Sequence, residues 1–365
     1  MMVFFIALSC YNNYMKYILG FVLALGVCIG SWFGYQYYQE MNQSIITLRA
    51  QVQDNLIQAE RVMVLENNIQ GLEADLEKKQ QEENTYTILA GGDIMMDRGV
   101  KGRIKRLNED YNFSFDLIRD DLDNADYVFA NLEGSISDIG ADTGKPYSFR
   151  FEPAVADALS DGSIDGVSLA NNHMLDWGRS SLCETTKHLD IVGIDYVGGG
   201  CNAQTAERPL IKQLGNTSVG FLAYTEFYKG AHAVGDTPGM SEYNLDKIAQ
   251  RISDLKNQVD IIMVSMHWGA EYKDRATDIQ VDIGQQIIDM GADVIIGHHP
   301  HVDQEIERYG NGWIIYSLGN FIFDQSWSEN TMEGILAEIT IQNKKILDVR
   351  PIPIQLNENY QPYVI

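Results

Sequence analysis

From residue 85 onward the chain alternates short β-rich runs with helix-like stretches, and six of its seven β-runs end in a polar cluster. The runs are Tyr86–Ala90, Tyr127–Ala130, Val167–Leu169, Val219–Tyr224, Ile261–Met266, Val294–Ile296 and Trp313–Tyr316. Helical spacing falls between them at Glu152–Leu159, Arg179–Val192, Leu245–Lys256 and Asp278–Met290. Pro153 sits in the first turn of the first of these, where a missing N–H costs little. Strands alternating with helices predict an α/β domain whose strands pair in layered sheets. The tail, Ile335–Ile341 and Lys345–Leu356, predicts a closing pair of strands joined near Asn343.

The polar clusters restrict function more than fold. They are Gly91-Gly92-Asp93, Asn131 to Gly134, Ala170 to His173 with Asp176 and Gly178 behind, His267-Trp268-Gly269, Gly297 to His301, and Ser317 to Phe321. In α/β sheets, ligands bind at the carboxyl ends of strands, so six such ends can face one site. Singly, each cluster also fits a cap, an Asx turn or a core histidine. Gly297-His298-His299-Pro300-His301 is the densest. Pro300 cannot donate to a ladder, so these histidines belong in a fixed turn. Carboxylate, amide oxygen and imidazole together suit Mn, Fe, Zn or a similar divalent ion. Two such ions can activate water and neutralise a phosphoryl group. His173 and Asp176, three apart, allow the carboxylate to orient an imidazole that acts as general acid; a plain turn-stabilising bond fits the same spacing.

The 365 residues carry 51 acidic and 27 basic side chains, a formal charge of −24. That surface repels phosphate backbones, which argues against nucleic-acid binding. Among four cysteines there is no C-x-x-C pair, so no zinc knuckle or redox motif is expected. Cys183 and Cys201 can pair outside the cytoplasm, but two free thiols are the expectation from sequence.

Tyr17 to Gly34 is an uncharged apolar run of bilayer length, preceded by Lys16 and with Trp32, Tyr35, Tyr37 and Tyr38 at its far end as an interfacial belt. With no small-residue cleavage site, residues 1–38 read as an uncleaved signal anchor that places the main domain outside the cell membrane. Met15 followed by Lys16 also resembles a bacterial start. In residues 39–84, apolar positions recur at Ile45, Leu48, Val52, Ala59, Val62, Leu65, Ile69, Leu72 and Leu76, a coiled-coil spacing with one stammer. This segment is expected to be a stalk that supports a homodimer; an amphipathic helix packed on the domain is the alternative. Residues 85–365 form the main domain.

The motifs Gly92-Asp93, Asn131 to Gly134, Ala170 to Gly178, His267 to Gly269, Gly297 to His301 and Leu318 to Phe321 together resemble the CapA family. That is the poly-γ-glutamate capsule biosynthesis family, within the calcineurin-like metallophosphoesterases. The resemblance implies a two-sheet sandwich flanked by helices with a two-metal site at its rim. By position it implies Asp93, Glu133, Asn172, His267, His299 and His301 as metal ligands, His173 beside the leaving group, and His298 as a neighbour. Arg98 and Arg150 are candidates for holding an anionic polymer or phosphoester substrate. Two departures stand out. The superfamily's D-x-H reads Asp93-Ile94-Met95 here, and a thioether is a poor ligand for such ions. Glu133 also replaces an aspartate. The expectation is therefore a membrane-anchored capsule protein with a metallophosphoesterase-like hydrolase site. The alternative is a non-catalytic component that binds the polymer or other membrane proteins of a synthase complex.

Overall fold

The computed structural model describes residues 16–17 and 32–365. Most of the predicted anchor, Tyr17 to Gly34, lies outside the described residues, as do Cys10 and Cys28. Among the described residues, no helix is long and apolar enough to cross a membrane. The chain divides into two units, residues 1–79 and 80–365.

Most described residues of the first unit belong to helix α1, Trp32–Glu83, about 78 Å long at 1.5 Å per residue. Leu48, Val62, Leu65, Ile69, Leu72 and Leu76 of the predicted seam are exposed on it.

The second unit opens with β1 (Thr85–Ile94), α2 (Arg98–Leu107), β2 (Tyr127–Leu132), α3 (Ala154–Asp161), β3 (Gly166–Ser168), α4 (Arg179–Val192) and β4 (Asp195–Val197). It continues with β5 (Leu210–Leu214), β6 (Thr217–Thr225), α5 (Leu245–Leu255), β7 (Ile261–His267), α6 (Asp278–Met290) and β8 (Val294–His298). The last elements are β9 (Ile306–Tyr309), β10 (Gly312–Ile315), β11 (Asn320–Ile322), β12 (Glu333–Gln342), β13 (Lys345–Leu356) and β14 (Pro362–Val364).

These strands form two mixed sheets. One has the order β14-β13-β12-β1-β2-β3-β4, with β11 joining the end of β1; the other has β9-β10-β8-β7-β6-β5. Neighbours among β1 to β4 are parallel, as are β6, β7, β8 and β10. Period-two alternation explains how the sheets stack. Ile88, Ala90, Tyr127 and Phe129 of the first face Val219, Phe221, Ile261, Met263, Val294 and Ile296 of the second in one core. Phe129 stacks on Phe221 with ring centres 5.0 Å apart. The intervening residues point outward. Leu89, Val128 and Ala130 pack under Val100, Ile104, Leu159, Leu182 and Leu189 of α2 to α4. Leu222, Ile262, Val264 and Ile295 pack under Ile248, Ile252 and Ile287 of α5 and α6. The strands read as nearly continuous apolar runs because both faces are covered.

The structure corrects one expectation. Cys183 and Cys201 form a disulfide rather than two free thiols. α4 carries Cys183 beside the Gly199-Gly200 segment that precedes Cys201, leaving the Cα atoms 5.2 Å apart, within ordinary bridging range. A separation of 18 residues gave no local sign of that proximity.

Candidate metal centre

The parallel registers bring the polar strand ends to one rim. Asp93 lies opposite Asn131 on one side and Asn320 on the other, and His267 lies opposite His298. Backbone closeness sets these positions. A Cβ on Gly92 would stand 2.0 Å from the Gly319 carbonyl oxygen, and one on Gly297 would stand 2.0 Å from that of Tyr316. Only glycine lets the strands converge this tightly. His299 and His301 then turn away with φ of 99° and 60°. Such left-handed backbone is uncommon for a non-glycine residue and concentrates at functional turns.

Asp93 and Glu133 are fully buried. Asp93 accepts hydrogen bonds from Asn131 Nδ2 (2.8 Å) and the His299 backbone N–H (3.2 Å). Its oxygens lie 3.4 Å from His298 Nδ1 and 3.3 Å from His301 Nδ1. Burial works to raise its pKa, but the imidazoles of His298 and His301 beside it hold it well below the usual range. Glu133 behaves oppositely: burial first, then the charge of Asp93, and further that of Glu271 and Asp176, push it well above the ordinary value. Its Oε1 lies 3.7 Å from His301 Nε2 and has no hydrogen-bond partner.

One ligand atom each from Asp93, Glu133 and His301 lies within 4.8 Å of the others; Glu271, His299 and His301 form a second such group. His267 Nε2 is 2.8 Å from Asn172 Oδ1, so these two predicted ligands also meet. His299 Nδ1 and both ring nitrogens of His298 lack hydrogen-bond partners despite burial. Orphaned buried nitrogens and an orphaned carboxylate oxygen, in a mixed N/O set, fit a divalent cation. Burial, then the charge of His299, pulls His267 well below its ordinary pKa. Burial, then the charge of His301, brings His299 down to about 3. Both rings are thus neutral and ready to coordinate at physiological pH.

The second predicted pair also meets. His173 Nδ1 is 2.6 Å from Asp176 Oδ2, and the ring stacks on Phe149 at 4.0 Å. Asp176 is itself held by Lys145 Nζ (2.6 Å) and the Phe149 N–H (3.0 Å). Burial lowers the His173 pKa against the upward pull of Asp176. The arginines stand apart from the cluster. Arg98 pairs with Asp324, and its guanidinium lies 4.6 Å from the Phe149 ring. Arg150 stacks its guanidinium on Trp177 at 3.7 Å.

Sequence reasoning assigned no role to several residues the structure makes central. Asn131 Nδ2 reaches Asp93, Glu133 and His267, and its Oδ1 accepts from Asn171. Asn320 Oδ1 lies 3.1 Å from His301 Nδ1. Both sit inside the strand-end clusters, which was the available signal. Lys145 and Glu271 carried none. Met95 is fully buried in the core with its sulfur 3.3 Å from the Asp97 N–H, so it packs instead of coordinating.

The pKa pattern has a measurable consequence. A cation must displace the proton that the raised Glu133 retains above its ordinary value, while His267 and His299, being lowered, hold none there. Proton release on Mn²⁺ binding, read by calorimetry in buffers of different ionisation enthalpy, should persist above the ordinary carboxylate range and decline as rising pH ionises Glu133 on its own. Glu133→Gln should abolish that decline.

Residues 87–325 match the family model for the bacterial capsule synthesis protein PGA_cap. The capsule biosynthesis protein CapA of Bacillus anthracis is 33% identical over 307 residues, covering 80% of this chain and 74% of its own. The PGA biosynthesis protein CapA of Bacillus subtilis is 30% identical over 271 residues, covering 73% and 70%. Among solved structures, a phosphatase from Mycoplasma pneumoniae aligns with a TM-score of 0.45 at 12% identity, over 74% of this chain and 94% of that one.

Proposed function

This chain belongs to the bacterial capsule synthesis protein family, and from that premise we propose that it makes or exports poly-γ-glutamate or a similar anionic surface polymer, using a metal-dependent phosphoesterase-like site. The observation that carries the catalytic part is the convergence of Asp93, Glu133 and His301, with Glu133 Oε1 left unpartnered in full burial. Burying two carboxylates side by side is costly unless a cation compensates them.

Asp93, Glu133 and His301 would hold one divalent ion, and His267, Asn172 and His299 supply further donors. When bound, such ions supply water activation and neutralise a phosphoryl group. The protein's own residues do the rest. Lys145 fixes Asp176, and Asp176 fixes His173 through Nδ1. The other ring nitrogen, Nε2, faces the cluster 3.8 Å from Glu133 Oε1. From there it passes a proton to the departing oxygen of the substrate. Arg98 and Arg150 are proposed to attract the anionic substrate from the rim.

The same reading places the protein on the outer face of the cell membrane, anchored by residues 1–38 and raised on α1, which pairs with a second copy. Supporting it are the apolar run at Tyr17 to Gly34, the exposed apolar seam of α1, and a disulfide suited to an oxidising compartment. Other membrane proteins of a synthase complex are the expected partners. A non-catalytic role in binding polymer or partners is the second reading, favoured by Met95, whose side chain lies in the core instead of at the site. Complementation of a strain lacking this chain separates them. The catalytic reading expects His267→Ala to fold, reach wild-type abundance and restore no surface polymer. Full restoration by that variant would leave only the binding role.

A further inference from the structure

We infer that the cavity beside the metal centre, walled by Phe227 and Tyr228, binds an α-amino acid end group, its ammonium at Glu226 and its carboxylate at Lys229. The inference rests on the anionic-polymer reading and names what the cavity recognises in such a polymer: the free amino end of a γ-glutamyl chain. The cavity measures about 410 Å³ and is lined by residues 225–232 and 240–243, at the end of β6 and in the loop before α5. That size suits a small ligand or one end of a longer one. Its walls adjoin the site. The Phe227 ring lies 4.2 Å from that of His299 and 5.9 Å from that of His267. The Tyr228 ring lies 3.7 Å from Lys145 Nζ, the group that fixes Asp176. Tyr228 adopts a left-handed φ of 65°, a backbone state that concentrates at ligand sites.

The loop is fixed by its own bonds. Arg179 of α4 donates to the carbonyls of Gly230 (2.8 Å) and Pro238, and the Met240 N–H donates to the Ala231 carbonyl at 3.1 Å. A preformed cavity loses little binding energy to ordering. Its charges are of both signs. Glu226 accepts the Gly269 N–H at 2.7 Å and has no ion-pair partner among the described residues. Burial raises its pKa, so its charge is poorly solvated and a cation beside it compensates. Burial, then the charge of Glu226, pushes the Tyr243 phenol up to about 12, so that hydroxyl keeps its proton and can donate. Glu242, the other carboxylate on the cavity, is already paired with Lys247, and His232 adds to that pairing. Lys229 has no ion pair among the described residues. One free carboxylate and one free ammonium fit a zwitterion. In a γ-glutamyl chain every residue carries an α-carboxylate, but only the first carries an ammonium, because every other nitrogen is an amide. The two charges therefore distinguish the amino end from the interior of the chain.

The test is calorimetric titration of the full chain with γ-glutamylglutamate and with its N-acetyl form. The wild type should bind the free amine at least about tenfold more tightly than the acetylated form, the scale of one charge-assisted hydrogen bond. Glu226→Gln, whose amide oxygen still accepts the Gly269 N–H, should abolish that preference and bind the acetylated form within about twofold of the wild type. Lys229→Met should weaken both ligands by about tenfold and keep the preference. Mn²⁺ binding like the wild type's in each variant shows that the neighbouring centre is intact. A wild type that binds neither ligand, or both equally, would overturn the inference. So would a preference that survives Glu226→Gln, or a Lys229→Met variant that binds both ligands as the wild type does. If the preference is as described while cells lacking this chain still make surface polymer, the polymer reading fails and the binding assignment stands.

Discussion

His301→Asn is expected to remove metal-dependent phosphoester hydrolysis while leaving the fold in place. His301 belongs to both groups of ligand atoms, and its ring spans from Asp93 Oδ2 at 3.3 Å to Glu133 Oε1 at 3.7 Å. An asparagine amide is too short to reach both carboxylates. Metal affinity should fall by more than about 100-fold, since losing even an outer partner of a ligand costs about 10–100-fold. Asparagine is chosen because residue 301 has φ of 60°, and asparagine tolerates that region better than most residues. Its amide can still donate to Asp93, which limits the cost of leaving that carboxylate unpaired. Metal content, hydrolysis of a nitrophenyl phosphodiester and the melting temperature check the prediction together. A variant that melts like the wild type and retains its ions would remove His301 from the ligand set.

The second large effect is at a residue that touches no ligand. Gly92→Ala should cost at least about 3 kcal/mol, the upper part of the usual range for overpacking, because the added methyl meets backbone that cannot rotate aside. The new Cβ would stand 2.0 Å from the Gly319 carbonyl oxygen. That carbonyl accepts the Asp93 N–H at 3.0 Å, so the clash separates β1 from β11 at the site itself. Asp93 moves with β1, and Asn320, which contacts His301, moves with β11. Stability and metal affinity should therefore fall together. Gly102→Ala, inside α2 with nothing within 4 Å of its Cβ, is the control: it should leave metal affinity unchanged and raise stability by about 0.5–1 kcal/mol. Denaturant midpoints and Mn²⁺ titrations of the two variants are the measurements.

The contrast between these two positions shows what a sequence can disclose here. Helices α4 and α6 begin and end where their patterns predict. Amphipathic spacing is a local property, and Thr277 with Gln280 forms a capping box at the start of α6. The β-runs were also legible, yet β1, β7 and β8 extend through Ile94, His267 and His298, past the apolar residues. Those polar ends stay in the ladder because neighbouring strands bury them, which no local alternation reports. α2, β5, β9 and β11 were missed for other reasons: β11 pairs with β1, remote in sequence, β5 and β9 pair with the strands that follow them but are largely half-exposed with no continuous apolar run, and α2 buries only Val100 and Ile104.

The candidate site divides similarly. The six predicted ligands were readable as polar residues after strands. Asn131 stands in one of the same clusters, but its role was not readable, because it lies in bonds to Asp93, 38 residues away, and to His267, 136 away. Lys145 reaches Asp176 across 31 residues from a loop with no pattern of its own. The Cys183–Cys201 bridge and Glu271 depend on loop geometry, which composition does not encode.

The most direct measurement of the central claim is phosphodiester hydrolysis by the full chain, stripped with a chelator and then reloaded with Mn²⁺, with ions per chain counted in each sample. The account predicts that stripping abolishes turnover, that reloading restores it, and that turnover tracks ion content. Turnover that persists in metal-free protein, or a fully loaded protein that cleaves nothing, would contradict it.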